Sequence, residues 1–250
     1  MLNNTPKYNE ALEVAKEFVE RYKRADVVGI VFLGALARGY FDKYADIDIS
    51  ILKGKNSKIK SIPVKYVRFR GYEIDYAVNN FEDASKTEWT MAGRWAHSQA
   101  MIYYDPDGLV KKLIQKKCKL SAKERRWLMI EGTTQSEWYG NDLPKVWIHR
   151  KDLLSAHSMF FKAIDHFLDA LFALNNRLVP DHKWKLNSTM KLEWLPKDFR
   201  KRVNGVLRVS KLDEAELRRR SRDFMYLWKQ LKPKVEKEVN MRYEKFRKLV

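Results

Sequence analysis

The sequence predicts an α+β first half followed by an all-helical second half. Two observations support this. Short runs rich in β-branched residues stop before residue 109, and apolar residues at three- and four-residue intervals dominate the remainder. A chain of 250 residues is long enough for two domains. We therefore expect an α+β domain over residues 1–115 and a helical bundle over residues 116–250.

The first half alternates helical and strand patterns. Residues 8–24 carry apolar side chains at helical spacing. The apolar run at 27–33 predicts a strand buried on both faces, and residues 45–52 alternate acidic and apolar side chains as a half-buried strand does. The remaining predicted elements are two strands around Gly71 within 64–78, a helix over 82–100 and a short strand with a turn over 101–108.

The second half contains helical patterns alone. Ser121 and Glu124 have the spacing of a capping box, which predicts a helix start. Residues 152–174 keep apolar side chains on one helical face. Further helices are predicted over 196–209, 214–231 and 235–249, with Pro233 separating the last two.

The chain is strongly basic, and the excess lies in its second half. It has 50 Lys and Arg residues against 32 Asp and Glu, a net charge of +18. Residues 1–115 hold 18 basic and 15 acidic residues (+3), whereas residues 116–250 hold 32 and 17 (+15). This asymmetry predicts an anionic partner such as nucleic acid. A charge-rich surface of the thermophilic kind is the alternative.

Composition excludes several classes of protein. A hydrophobic content of 45% with 13% aromatic residues excludes a disordered chain. The single cysteine, Cys118, excludes an intramolecular disulfide and a cysteine metal cluster. No apolar run approaches the roughly 18–20 residues that span a membrane. We therefore expect a cytoplasmic protein without membrane contact, and a homo-oligomer is compatible with the sequence.

Two alternating acids, Asp46 and Asp48, are the first candidates for chemistry. They lie on a predicted strand about ten residues after another strand ends at Gly34. Alternate residues of a strand share a face, so these carboxylates should lie about 6–7 Å apart. Carboxylates this close repel unless a cation lies between them, and Mg²⁺ prefers carboxylate and phosphate oxygens. The spacing therefore predicts a metal site.

A third acid is expected from a neighbouring strand. Asp75 is the preferred candidate because it lies in an alternating strand pattern, and Glu73 on the same face is the alternate. Gly34 allows a chain bend that brings backbone N–H groups close to a phosphate. Arg38 adds a positive charge that either neutralises phosphates or braces the loop. His97 could line the cleft, whereas Trp95 beside it is favoured as a core residue.

These residues together resemble the nucleotidyltransferase superfamily typified by DNA polymerase β, in its minimal, kanamycin nucleotidyltransferase-like branch. The family pattern is Gly-Ser, about ten residues, Asp-x-Asp and a later acid. Its positions correspond here to Gly34, Ala35, Asp46, Asp48 and Asp75. The resemblance implies a mixed sheet with flanking helices followed by a helical domain.

The resemblance also implies an activity and a set of roles. The activity is Mg²⁺-dependent transfer of a nucleoside monophosphate from a nucleoside triphosphate, ATP foremost, to an acceptor hydroxyl with release of pyrophosphate. Asp46, Asp48 and Asp75 would be catalytic and would hold two metal ions. Gly34, Ala35 and Arg38 would bind the nucleotide.

One departure from the family pattern opens a second hypothesis. Ala35 replaces the serine that contacts the triphosphate, and one hydrogen bond to a charged group is worth about 1.5–3 kcal/mol. The chain is therefore either a nucleotidyltransferase with weakened nucleotide binding or a catalytically weakened protein that binds RNA or a partner protein.

A basic run in the second half bears on the acceptor. The run carries cations on one side of a predicted helix and continues into a cluster at 218–222: Lys197, Arg200, Lys201, Arg208, Lys211, Arg218, Arg219, Arg220 and Arg222. Such a stripe either tracks phosphates or forms a solvated face. Since like charge opposes the approach of a polycation, we expect an anionic acceptor such as RNA, or a protein.

Overall fold

The structure, a computed structural model, describes residues 6–250, and the chain divides between Lys119 and Leu120 into two units. The first unit mixes helices with a sheet, and the described second unit is helical. The predicted α+β class is therefore confirmed. The catalytic and accessory roles assigned to residues 1–115 and 116–250 stay predictions.

Five strands form one mixed sheet in the first unit. They are β1 (Val27–Phe32), β2 (Ile47–Lys53), β3 (Ile62–Phe69), β4 (Tyr72–Asn80) and β5 (Met101–Tyr104). Their order is β3-β4-β2-β1-β5, in which β2 and β4 run parallel and the other neighbours run antiparallel. Arg70 and Gly71 join β3 to β4 with φ of +50° and +83°, as a tight two-residue hairpin turn requires.

Helices cover the two faces of this sheet unequally. The helices of the first unit are α1 (Pro6–Glu20), α2 (Gly34–Ala37), α3 (Phe81–Lys86), α4 (Met91–Ser98) and α5 (Leu109–Lys117). On one face, α1 packs against fully buried residues of β2 such as Ile47 and Ile51. On the other face, Leu52 packs with residues of α5, while Asp48 is only half-buried. The acidic end of β2 is therefore accessible.

The predicted single helix over 82–100 is wrong, because the segment forms two helices. Asn80 caps α3 and Thr90 caps α4, each by accepting a hydrogen bond from a backbone N–H of the first turn. Thr87 between them is extended, with ψ of 139°. A side-chain oxygen at an N-cap replaces a missing backbone partner, and this local preference starts the second helix at residue 91.

The second unit is built around two long helices. Its helices are α6 (Ala122–Glu137), a π-helical turn (Trp138–Asp142), α7 (Leu143–His149), α8 (Leu153–Leu174), α9 (His182–Thr189), α10 (Phe199–Leu207), α11 (Glu214–Val239), α12 (Tyr243–Phe246) and a 3₁₀ turn (Arg247–Leu249). The predicted capping box of Ser121 and Glu124 is confirmed at the start of α6. Across residues 6–250, none of the helices has both the length and the apolar content that a membrane crossing requires.

The predicted break at Pro233 is wrong, because α11 continues through it. An interior proline removes one helical hydrogen bond and costs about 3 kcal/mol. Leu227, Leu231, Val235 and Val239 nevertheless present one unbroken buried face across it. Each such side chain contributes roughly 1.5–3 kcal/mol on burial, so the packing of the face outweighs the proline.

Candidate metal centre

Three carboxylates meet at the accessible end of β2. Asp48 lies beside Asp75 in the parallel register of β2 and β4, and Asp46 precedes β2 by one residue. Because side chains alternate along a strand, Asp46 and Asp48 share a face. One carboxylate oxygen from each of the three residues lies within 4.8 Å of the others. The structure thus brings together the three acids that the sequence suggested.

The electrostatics of this cluster favour a cation. Burial raises the pKa of Asp75, and the neighbouring carboxylates of Asp46 and Glu73 raise it further. Three half-buried carboxylates grouped this closely would be stabilised by a divalent ion with a preference for oxygen ligands. The donor set therefore fits Mg²⁺ or Mn²⁺.

Glu73 does not join the cluster. Its carboxylate lies 3.2 Å from the Arg68 guanidinium on the adjacent strand β3, and both side chains are exposed. Glu73 therefore acts on Asp75 through its charge, whereas Asp75 itself supplies the third carboxylate.

The turn at Gly34 packs directly against Asp48. Gly34 has φ of +58°, and a Cβ atom added there would lie 1.7 Å from Asp48 Oδ2. The backbone N–H of Leu33 donates to the Asp48 carbonyl at 2.9 Å. Gly34 and Ala35 open the short helix α2 beside this contact. The absence of a side chain at Gly34 is therefore what allows this contact.

The other two predicted nucleotide-binding residues occupy different surroundings. Ala35 is 5% exposed and belongs to the apolar core of the first unit. The Arg38 guanidinium lies 5.8 Å from the Tyr40 ring centre and 5.6 Å from that of Trp95. Trp95 is buried, which confirms the core position favoured for it. Aromatic contacts thus hold Arg38 in place, and its role towards phosphates stays a prediction.

A cavity of about 690 Å³ adjoins the acids, and Asp48 and Asp75 line it together with Trp89 and His97. The two rings lie 4.5 Å apart. His97 Nδ1 lies 2.8 Å from the Gly93 carbonyl, which can only accept, so Nδ1 carries the proton and Nε2 is the acceptor. Burial lowers the pKa of His97, which keeps the ring neutral at neutral pH.

Comparison with known proteins bears on the fold. No protein-family model and no curated protein matches the chain. The structure is similar to the crystal structure of a nucleotidyltransferase-like protein from Exiguobacterium sibiricum 255-15, with a TM-score of 0.52. The match covers 91% of this chain and 77% of that chain at 12% sequence identity.

The chain has a nucleotidyltransferase-like fold. At this level of identity the likeness concerns the fold alone, and it includes the mixed sheet that carries the acids together with the helical region. The predicted fold class is thereby confirmed. The kanamycin nucleotidyltransferase-like branch stays a prediction.

Part of the predicted basic stripe has internal contacts instead of facing solvent. Arg219 pairs with Glu216 at 2.6 Å and with Asp223 at 2.7 Å. Arg220 is fully buried, and its Nε donates to the Val206 carbonyl at 2.5 Å. Because these guanidinium groups already have partners in the fold, they do not extend a phosphate-binding face.

Proposed function

We propose that this protein is a Mg²⁺-dependent nucleotidyltransferase, which transfers a nucleoside monophosphate from a nucleoside triphosphate to an acceptor hydroxyl. The observation that carries this proposal is the cluster of Asp46, Asp48 and Asp75 on adjacent parallel strands of a nucleotidyltransferase-like fold. In the transfer, the acceptor oxygen bonds to the α-phosphorus, the bond from that phosphorus to the bridging oxygen breaks, and pyrophosphate leaves.

The chain's own acids have distinguishable tasks in this reaction. Divalent ions held by Asp46, Asp48 and Asp75 would supply positive charge beside the attacking and leaving oxygens. Asp75, on the strand beside β2, would accept the proton of the attacking hydroxyl. Asp48 packs against Gly34 and is therefore held in one orientation.

The triphosphate would be bound by backbone at the Gly34 turn. Ala35 is buried in an apolar cluster, so its side chain offers no contact to an anion. The N–H groups of Gly34 and Ala35 remain as donors. The affinity for the triphosphate should therefore be lower than in a protein with a serine hydroxyl at this position. The loss of one hydrogen bond to a charged group, about 1.5–3 kcal/mol, corresponds to roughly 10- to 100-fold in affinity.

For the acceptor we propose RNA, on the evidence of an exposed cationic face along α10. Arg200 and Lys201 lie on α10 about 100° apart, and Arg208 is the residue that follows its C-terminal end. All three are exposed, and within residues 6–250 none of them pairs with an acid. Exposed cations grouped on one side of the protein bind phosphates with an affinity that falls steeply with salt.

The same face supports a second candidate function, an RNA-binding protein with weakened catalysis. Ala35 favours this candidate, because the serine-type triphosphate contact is missing. The two candidates differ in what the acids do. RNA binding would need the cations of α10 and would survive loss of Asp46 and Asp48.

A labelling experiment tests the enzymatic proposal. The protein is incubated with each α-³²P nucleoside triphosphate, Mg²⁺ or Mn²⁺, and RNA, protein or small-molecule acceptors. We expect label transfer with release of pyrophosphate, lost in Asp46→Asn and Asp48→Asn and retained in Glu73→Gln. No transfer from any nucleotide to any acceptor would contradict the proposal. RNA binding that persists in the double Asp46→Ala, Asp48→Ala variant and weakens with salt would favour the binding protein.

A further inference from the structure

The cavity beside the acids has the size and position of a ligand site. Its volume of about 690 Å³ lies within the roughly 300–1,000 Å³ typical of small-molecule pockets. Asp48, Ser50 and Leu52 alternate along β2 and all line it. At about 3.3 Å per residue, the cavity follows the strand for about 13 Å from the acids. A molecule reacting at the acids therefore has room to extend into it.

Beyond the acids that would hold metal, the charges of the cavity disfavour phosphate. Among the described residues that line it, none is Lys or Arg, and Asp83 contributes a carboxylate in addition to Asp48 and Asp75. A triphosphate, or the backbone of an RNA acceptor, would meet like charge at Asp83 and no cationic side chain there. The occupant must therefore be uncharged or cationic where it enters the cavity.

The remaining lining groups suit a flat heterocycle. Trp89 and His97 supply aromatic surface, and rings of a ligand stack favourably on such side chains. The side chains of Ser50 and Asn79 and the Nε2 atom of His97 have no hydrogen-bond partner in the part of the chain that the structure describes. These polar groups, in one largely apolar cavity, could bind the edge of a heterocycle.

The hydrogen-bonding capacity of the lining favours one kind of edge. His97 Nε2 and the Asp83 carboxylate only accept, and Asn79 both donates and accepts. A ring with an exocyclic amino group offers the donors that these acceptors need. Adenine carries such a group, whereas uracil does not.

We propose that this cavity binds the nucleobase of the nucleoside triphosphate and prefers a base with an exocyclic amino group, such as adenine, over uracil. The inference rests on the proposed function, because it requires the α-phosphate to lie at Asp46, Asp48 and Asp75. A base lies one ribose from its α-phosphate, and two of these acids, Asp48 and Asp75, line the cavity.

Calorimetric binding of three ligands tests this assignment: ATP, UTP and inorganic tripolyphosphate, each with Mg²⁺. The wild-type protein should bind ATP about tenfold more tightly than UTP. Trp89→Ala should weaken the binding of ATP by about tenfold or more. It should leave the affinity for tripolyphosphate within about twofold of the wild-type value, because tripolyphosphate has no base to stack. Trp127→Ala, at an exposed tryptophan of the second unit, is the control and should change neither.

A second variant covers the case in which Trp89→Ala does not fold. Asn79 is exposed, so Asn79→Ala should fold normally. It should weaken the binding of ATP several-fold and leave the binding of tripolyphosphate unchanged. Asn56→Ala, in an exposed loop, should bind ATP as the wild-type protein does.

Three outcomes would overturn the inference, and they are distinguishable. Wild-type ATP affinity in both Asn79→Ala and a folded Trp89→Ala, with tripolyphosphate still bound, would show that the base lies elsewhere. If Trp89→Ala and Asn79→Ala kept the wild-type affinity for ATP but lost label transfer, the cavity would be assigned to the acceptor. If the wild-type protein bound neither ATP nor tripolyphosphate, the proposed function would fail and this inference with it.

Discussion

Replacement of Gly34 by alanine should damage the metal centre through a single methyl group. The added Cβ would lie 1.7 Å from Asp48 Oδ2, whereas an ordinary C···O contact is about 3.3 Å. The carboxylate would therefore have to move by roughly 1.6 Å, and metal ligands tolerate only about 0.2 Å. We expect Mg²⁺ or Mn²⁺ affinity to fall by at least the 10- to 100-fold typical of disturbed ligand positioning.

Gly39 provides a matched control for this substitution. It also has a positive φ, +77°, but an added Cβ there meets no atom within 4 Å. Gly34→Ala and Gly39→Ala should thus share the backbone cost of roughly 1–2 kcal/mol. Only Gly34→Ala should in addition displace the Asp48 carboxylate.

Thermal unfolding with and without metal separates these two effects. At a metal concentration of about 100 Kd, metal should raise the free energy of unfolding of the wild-type protein and of Gly39→Ala by about 2.7 kcal/mol. A 10- to 100-fold weaker site in Gly34→Ala would leave a gain of only about 0.4–1.4 kcal/mol. If Gly34→Ala were stabilised by metal as fully as Gly39→Ala, the contact between this turn and the acid would have no bearing on the site.

Three further substitutions test the electrostatics and packing. The pKa of Asp75 is raised, so its contribution to stability is present below the ordinary carboxyl pKa and is lost as pH rises through the raised value. In EDTA, Asp75→Asn should therefore reduce the fall in melting temperature that accompanies this rise in pH. An unchanged pH profile would count against repulsion between Asp75 and its neighbouring carboxylates. Arg220→Ala should lower the free energy of unfolding by about 2–5 kcal/mol in urea, because it empties a fully buried site. Arg222→Ala, at an exposed residue, should change the free energy of unfolding by less than about 0.5 kcal/mol. Equal effects of the two substitutions would contradict the buried position of Arg220. Pro233→Ala should raise the free energy of unfolding, measured in urea, by up to about 3 kcal/mol, since it restores a helical hydrogen bond. No increase would show that the proline is unstrained.

The acids could be predicted because their pattern is local. Alternation alone places Asp46 and Asp48 on one face of a strand, and no tertiary information is needed. The structural reason for Asp75 instead of Glu73 is the parallel pairing of β2 with β4, which sets Asp48 beside Asp75. The sequence offered Asp75 as the preferred candidate, and the register shows why its carboxylate joins the cluster.

The cavity could not be predicted, because it depends on how separate elements pack. Asn79 and Trp89 have no local pattern that marks them, and together with Ser50 they line one space only after α3 and α4 fold beside the sheet. His97 was considered for the cleft from its position after the third acid. A signal that could have identified Ser50 is its place in the alternation that begins with Asp46 and Asp48.

Propensity rules failed where tertiary burial outweighed them. Pro233 ends a helix by its own preference, but the buried face from Leu227 to Val239 continues across it. Arg219 and Arg220 appeared as part of a solvent-facing basic run, but Glu216 and Asp223 pair with the first and the core encloses the second. Charge counting cannot separate a free arginine from one that the fold has already neutralised.

The central claim is that Asp46, Asp48 and Asp75 form a metal centre at which the α-phosphate of a nucleotide reacts. Anomalous diffraction from crystals grown with Mn²⁺ and α,β-methylene-ATP tests it most directly. We predict anomalous peaks at about 2.0–2.2 Å from carboxylate oxygens of all three residues, with an α-phosphate oxygen on the same ions. Nucleotide bound elsewhere in the molecule, with no anomalous density at the three acids, would contradict the account.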